Sequence, residues 1–200
     1  WAVRNLRGYR GRKINCGANT IYDALQLALR AAVQVPVPAG PYVICSVHRF
    51  ENIFQKGPFE RIVGLVEEVS RRFRVLFILH PPTRRKLEEY GLARRLTGNP
   101  NVELRPRYDF FTFNRLLAGS EFVLTDGGSN QEECFYLGKP CLLLRHKTER
   151  PEGIGQNVVL SRLDPAVLHE FVCNYRRYAF DPACLASGPS SAIVDALQAD

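Results

Sequence analysis

Phe122-Val123-Leu124-Thr125-Asp126-Gly127-Gly128-Ser129-Asn130-Gln131-Glu132-Glu133 is the stretch that decides how this chain folds. A short apolar run leads into two glycines, and a polar, helix-compatible segment follows. The reading is a strand at 122–124, a tight turn, and a helix over 130–137. The run is too short and too uniformly apolar for a half-exposed strand, and it suits one covered on both faces. Two glycines let the backbone approach a ligand closely. The helix start beyond them offers unpaired N–H groups and a positive dipole end, which together suit a phosphate. The Ser129 hydroxyl adds a donor. The alternative is an ordinary strand-to-helix turn capped by Ser129. The segment matches neither a Walker loop nor the spaced-glycine dinucleotide fingerprint.

Working outward, similar apolar runs stand at 13–16, 42–47, 75–79, 102–104, 141–144 and 158–160. Helical spacing of apolar residues fills the gaps at 20–32, 59–73, 84–95, 110–118, 165–178 and 191–197. Thr83, Asp109 and Asp164 stand as caps before three of these helices. Strands alternating with helices predict βαβ units on a parallel sheet. A Pro-rich stretch at 35–41 reads as a linker, and a break at 180–190 precedes a detached final helix. Residues 1–12 read as an entry segment. The expectation is one doubly wound, Rossmann-like α/β domain, with ligands beyond the carboxyl ends of its strands.

Composition narrows the partners. Lys and Arg number 27 against 20 Asp and Glu, a net charge of +7. A basic excess favours anionic partners, but aromatic residues do not interleave with the basic clusters as a nucleic-acid platform requires. Nucleic acid is therefore not an expected partner. No apolar run approaches a bilayer span, so neither is a membrane. Six cysteines form no CxxC pair and no zinc spacing, which points to a reducing cytoplasm and no metal site. No leader pattern opens the chain. Trp1 and the lack of any Met lead to the expectation of a fragment.

The residues just after each apolar run carry the polar groups, while the runs carry almost none. His48 and His80 follow two different strands, and a histidine can donate to a diphosphate oxygen or neutralise a departing nucleotide. Either is equally explained as a ring bonded to backbone. Glu132 and Glu133 are adjacent, so a helix points them about 100° apart. One is expected to face the pocket and accept from ribose hydroxyls, the other to sit outward near the helix dipole. Residues 145–150 supply two arginines suited to phosphate or carboxylate.

Taken together, these segments resemble the UDP-N-acetylglucosamine 2-epimerase family. The matching stretches are Gly17-Ala18-Asn19-Thr20 with Asp23-Ala24-Leu25, His48-Arg49-Phe50-Glu51-Asn52, and 124–133 with Leu137-Gly138-Lys139-Pro140. Thr148-Glu149-Arg150-Pro151-Glu152 completes the match. The resemblance runs from about Gly11 to Val159 and covers the family's carboxyl-terminal half. It implies one half of a glycosyltransferase-B-type two-domain fold, with residues 1–200 as the UDP-binding domain and the catalytic amino-terminal domain absent. The implied reaction inverts C2 of UDP-N-acetylglucosamine to the manno sugar by elimination of UDP and re-addition. It calls for neither a metal nor a redox cofactor. By position, His48 contacts the diphosphate and assists its departure. Gly127, Gly128 and Ser129 cradle phosphate, Glu133 holds ribose, Phe111 and Arg107 border uracil, and Arg150 reaches towards the substrate. A homodimer is compatible with this reading, and the isolated chain is expected to bind UDP without turning the sugar over.

Two departures stand out. The family's loop usually reads Ser-Gly-Gly after the Asp, whereas here the order is Gly127-Gly128-Ser129. Phe50 occupies a position where a second Arg is common. Gly153 matches branches that include hydrolysing members, which release N-acetylmannosamine and UDP. That outcome stays open, as do the donor half of a glycosyltransferase and a non-catalytic UDP-sugar sensor.

Overall fold

The computed structural model describes residues 2–182, 185 and 188–199. Trp1, Cys184 and part of the expected break at 180–190 lie outside them. Six strands form one all-parallel sheet: β1 (Tyr42–Ser46), β2 (Arg74–Leu79), β3 (Val102–Pro106), β4 (Val123–Thr125), β5 (Cys141–Leu143) and β6 (Val158–Leu160). Their order is β3-β2-β1-β4-β5-β6. This is the doubly wound order, in which the chain reverses direction between β1 and β4 and opens a crevice at their carboxyl ends.

Alternation along each strand divides the core. Val43, Cys45, Val75, Phe77 and Leu124 point to one side. There they meet α4 (Lys56–Ser70), α5 (Pro81–Glu89), α6 (Ala93–Thr97) and α9 (Pro165–Asn174). Ile44, Leu76, Ile78 and Val123 point to the other side, against α7 (Phe110–Gly119) and α8 (Gly128–Tyr136). Outside α8 lies α2 (Ile21–Arg30), packed through Tyr22 and Leu25 onto Tyr136. The remaining α-helices among the described residues are short α1 (Ala2–Asn5), α3 (Phe50–Ile53) just after β1, and α10 (Pro189–Gln198), and a 3-10 turn over Tyr175–Tyr178 follows α9.

Four sequence expectations are corrected. Residues 13–16 form no strand: Ile14 is exposed, and Asn15 folds back to accept a hydrogen bond from the Gly17 N–H. The helix expected over 84–95 is two helices. Gly91, at φ +70°, ends α5, and the Leu92 N–H returns to the Leu87 carbonyl at 2.8 Å, a Schellman closure. Thr83 is not a cap. The helix starts at Pro81, whose missing N–H costs nothing there, and buried Thr83 donates to the Val47 carbonyl at 2.6 Å. Finally, α10 is not detached: the Ser190 N–H donates to Asp23 Oδ2 at 2.7 Å, fastening it to α2. Asp109 and Asp164 do cap, accepting from the N–H groups of Thr112 and Ala166.

Candidate functional site

The site begins with Asp126. It follows β4 and is fully buried, at 0% exposure. Its carboxylate accepts from the N–H of His48 at 3.0 Å, the N–H of Arg49 at 2.9 Å and the amide of Asn52 at 2.9 Å. Asn52, also buried, donates as well to the Leu144 carbonyl at 2.8 Å. Three strand ends (β1, β4 and β5) are thereby pinned to one another. This clamp brings the His48 segment beside the glycine turn. Sequence reasoning gave Asp126 no role, because its meaning appears only once β1 and β4 are neighbours.

Above the clamp lies a cleft of about 290 Å³, lined among others by His48, His80, Arg107, Phe113, Gly128 and Glu133. That is just under the ~300–1,000 Å³ typical of ligand sites. The His48 and His80 rings stack at 4.4 Å. His48 Nδ1 lies 3.4 Å from Asp126 Oδ1, so an Nδ1–H directed there leaves Nε2 as the other ring nitrogen. Burial, reinforced by His48 and Arg107, lowers His80 to about 4, so its ring is neutral near pH 7. Its Nε2 lies 3.3 Å from Ser46 Oγ.

The glycine turn also lines this cleft, through Gly127, Gly128 and Ser129. Helix α8 starts at Gly128, two residues earlier than expected, with Gly127 as its cap. Neither glycine has positive φ; each is instead crowded by a neighbouring side chain. A Cβ at 127 would stand 2.7 Å from Asn130 Oδ1, and one at 128 would stand 2.6 Å from Arg150 Nε. Asn130 also accepts from Thr125 Oγ1 at 3.0 Å and donates to Glu133 Oε2 at 2.8 Å. The displaced serine of the loop thus has a physical counterpart, since Asn130 occupies the room a side chain at 127 would need.

Glu133 faces the cleft, held by Asn130, and burial pushes its carboxyl upward. Glu132 corrects the expectation of an outward residue, being only 3% exposed. It forms an ion pair with Arg150 and accepts from Asn19 Nδ2 at 3.3 Å. Helix α2 and the 148–152 loop cover the face that was expected to be open. Arg150 consequently lies across Gly128, against Glu132, and is not part of the cleft lining. Gln131, fully buried, donates to the carbonyls of Arg150 and Glu152 at 2.9 Å and accepts from Thr148 at 2.8 Å. The loop and the helix start are therefore one unit.

On the opposite wall, Arg107 lines the cleft but Phe111 does not. Phe111 is 42% exposed, while Phe110 and Phe113 contribute instead. The Asp109 cap fixes the helical phase, and residues three apart share a face while Phe111, next to the first of them, turns away. The i, i+3 spacing in 110–113 was the signal that could have found this pair.

A parallel sheet in this order, with a polar cleft at the β1/β4 switch point, defines a doubly wound α/β domain whose ligand crevice lies at that point. The sequence model described as UDP-N-acetylglucosamine 2-epimerase matches residues 5–171. The chain belongs to the UDP-N-acetylglucosamine 2-epimerase family. A UDP-N-acetylglucosamine 2-epimerase of Methanocaldococcus jannaschii is 32% identical over 174 residues, 80% of this chain and 48% of the relative. One of Methanococcus maripaludis is 30% identical over 178 residues, 82% of this chain and 49% of the relative. The solved M. jannaschii UDP-GlcNAc 2-epimerase, in complex with UDP-GlcNAc and UDP, superposes with a TM-score of 0.72 at 27% identity, covering 91% of this chain and 54% of that one. The chain thus spans about half the length of the relatives it matches, in agreement with one half of a glycosyltransferase-B-type fold. Among the described residues, no helix is long and apolar enough to cross a membrane.

Proposed function

We propose that this chain is the UDP-sugar-binding half of a UDP-N-acetylglucosamine 2-epimerase. One observation carries the reading: His48, the start of α8 and Glu133 line a single cleft. In that cleft the diphosphate takes the free N–H groups at the start of α8, where the helix dipole favours negative charge. His48 Nε2 and the Arg107 guanidinium approach from the other side and neutralise charge as UDP departs. The ribose hydroxyls donate to Glu133, oriented by Asn130. Uracil rests against Phe110 and Phe113, with Arg107 at its edge, while Phe111 borders the cleft from outside. Arg150 acts through its hold on Glu132 and its cover over Gly128, keeping the turn in place as the sugar enters.

Departure of UDP from C1 with loss of the C2 proton gives a glycal, and re-addition from the other face gives the manno configuration. The groups that move the C2 proton are assigned to the other domain, so the chain alone binds UDP and does not turn the sugar over. A homodimeric, cytoplasmic protein is part of the same reading. It is supported by the family resemblance and by Cys45, Cys134 and Cys141, which are free and buried.

Gly153 does not favour the hydrolysing outcome. It sits at φ +73°, where a Cβ would meet Asn157 and Val158 at 2.5 Å, which is reason enough for glycine. The test is proton NMR of UDP-N-acetylglucosamine in deuterated water with the full-length protein. Deuterium at C2 with UDP-N-acetylmannosamine as product supports the proposal. Free N-acetylmannosamine supports hydrolysis, and an unaltered spectrum contradicts both.

A further inference from the structure

On the sheet face formed by α4 and α9, away from the elements that line the cleft, three side chains of complementary chemistry meet. Cys173 Sγ lies 3.6 Å from His169 Nε2, and His169 Nδ1 lies 3.0 Å from Glu68 Oε1. An imidazole that donates Nδ1–H to a carboxylate presents the lone pair of Nε2, here towards the thiol. That is the relay of a nucleophile, a base and an orienting acid. The positions are not accidental to the fold: Cys173 and His169 are one turn apart on α9, and Glu68 comes across from α4.

Cys173 also borders a cleft of about 490 Å³, lined by Arg72, Phe73, Asn174, Tyr175, Arg176 and Arg177. Three guanidinium groups make it a basic pocket beside an exposed sulfur. Glu170 pairs with Arg177 at 3.6 Å, and Tyr175 donates to Glu121 at 2.6 Å while accepting from Arg176 Nε at 3.2 Å. Arg72 lies over the Phe73 ring at 5.7 Å. Cys45, Cys134 and Cys141, by contrast, are buried in the core.

We propose that Cys173 is a reactive modification site that exchanges with small disulfides bearing carboxylates. The Cys173 proton passes to His169 Nε2. The thiolate then attacks one sulfur of the disulfide, forming a mixed disulfide as the original S–S bond breaks, and the second sulfur leaves as a thiolate with the bonding pair. Cys173 is oxidised, the departing sulfur is reduced, and the imidazolium returns its proton to the leaving thiolate or to water. Arg72 and Arg176 hold the carboxylates of the incoming reagent.

The probe is dianionic 5,5′-dithiobis(2-nitrobenzoate), compared with neutral 2,2′-dithiodipyridine, on the 200-residue chain with Cys16 and Cys184 changed to Ser. One thiol reacts quickly, and Cys173→Ser abolishes that phase. His169→Gln slows both reagents by on the order of 10²-fold, and Glu68→Gln slows both to a lesser extent. Arg72→Gln with Arg176→Gln slows only the dianion. On the unsubstituted chain, mass spectrometry after brief exposure places the first adduct on Cys173. A fast phase that survives Cys173→Ser, a first adduct elsewhere, or a parental rate in His169→Gln overturns the proposal. Equal slowing of both reagents by the arginine changes overturns the anionic preference.

Discussion

Replacing Asp126 by Ala tests the clamp on which the site is built. The substitution leaves three donors without their acceptor: the N–H groups of His48 and Arg49 and the amide of Asn52. Each unsatisfied buried donor costs about 1–3 kcal/mol. The bonds from the His48 and Arg49 N–H groups are only partly buried, so the low end applies to them. Asn52 retains its bond to the Leu144 carbonyl. The expected loss is therefore about 3–4 kcal/mol, a large share of the ~5–15 kcal/mol available to a folded domain. Asp126→Asn keeps one acceptor oxygen but turns an amide group against a donor, and is expected to cost about half as much. Urea denaturation followed by circular dichroism measures both, and UDP titration of the folded Asn variant should show at least about tenfold weaker binding. An Ala variant within about 0.5 kcal/mol of the parent, or an Asn variant with parental UDP affinity, refutes the clamp.

Three further outcomes follow from the same geometry. His48→Ala removes a charge-assisted bond and should lower UDP affinity by about 1.5–3 kcal/mol in calorimetry, and an unaltered Kd returns His48 to a purely structural role. Glu133→Gln should weaken uridine nucleotides more than inorganic diphosphate. Because burial raises the Glu133 carboxyl, wild-type stability is fullest below its ordinary range and falls as pH rises through the raised value. The Gln variant should lose the Glu133 share of that alkaline fall, leaving the share of Glu132, which burial also raises, and should unfold at higher urea near pH 7. An undiminished fall in the variant contradicts the assignment. Gly127→Ser should cost about 1–3 kcal/mol by crowding Asn130, and Asn130→Ala should recover most of it in a double-mutant cycle. Strict additivity would count against the crowding.

The parts of this structure legible in the sequence are those that depend on local pattern. The runs that became β1, β2 and β5 are apolar on both faces because helices cover both sides, and that signature needs no knowledge of neighbours. Residues 13–16 carried a weaker version of the same signal and had no strand to pair with. The glycine turn was legible as a phosphate-sized approach, but the role of Asp126 was not, since it depends on which strands are adjacent. The burial of Glu132 has no local signature, since its partner Arg150 is 18 residues away and Asn19, just ahead of α2, is farther still. Phe111 is the ring that the family resemblance implies, whereas the helical phase set by the Asp109 cap, itself legible in the sequence, turns Phe110 and Phe113 to the wall.

The central claim is that His48 and the start of α8 hold one uridine diphosphate between them. Titrating UDP into isotopically labelled chain while following the His48 ring and the Gly128 and Ser129 amides tests it directly. The account predicts that all three sets of signals move together and saturate at a single Kd. Movement of the amides with an unperturbed His48 ring, or saturation at separate concentrations, contradicts it.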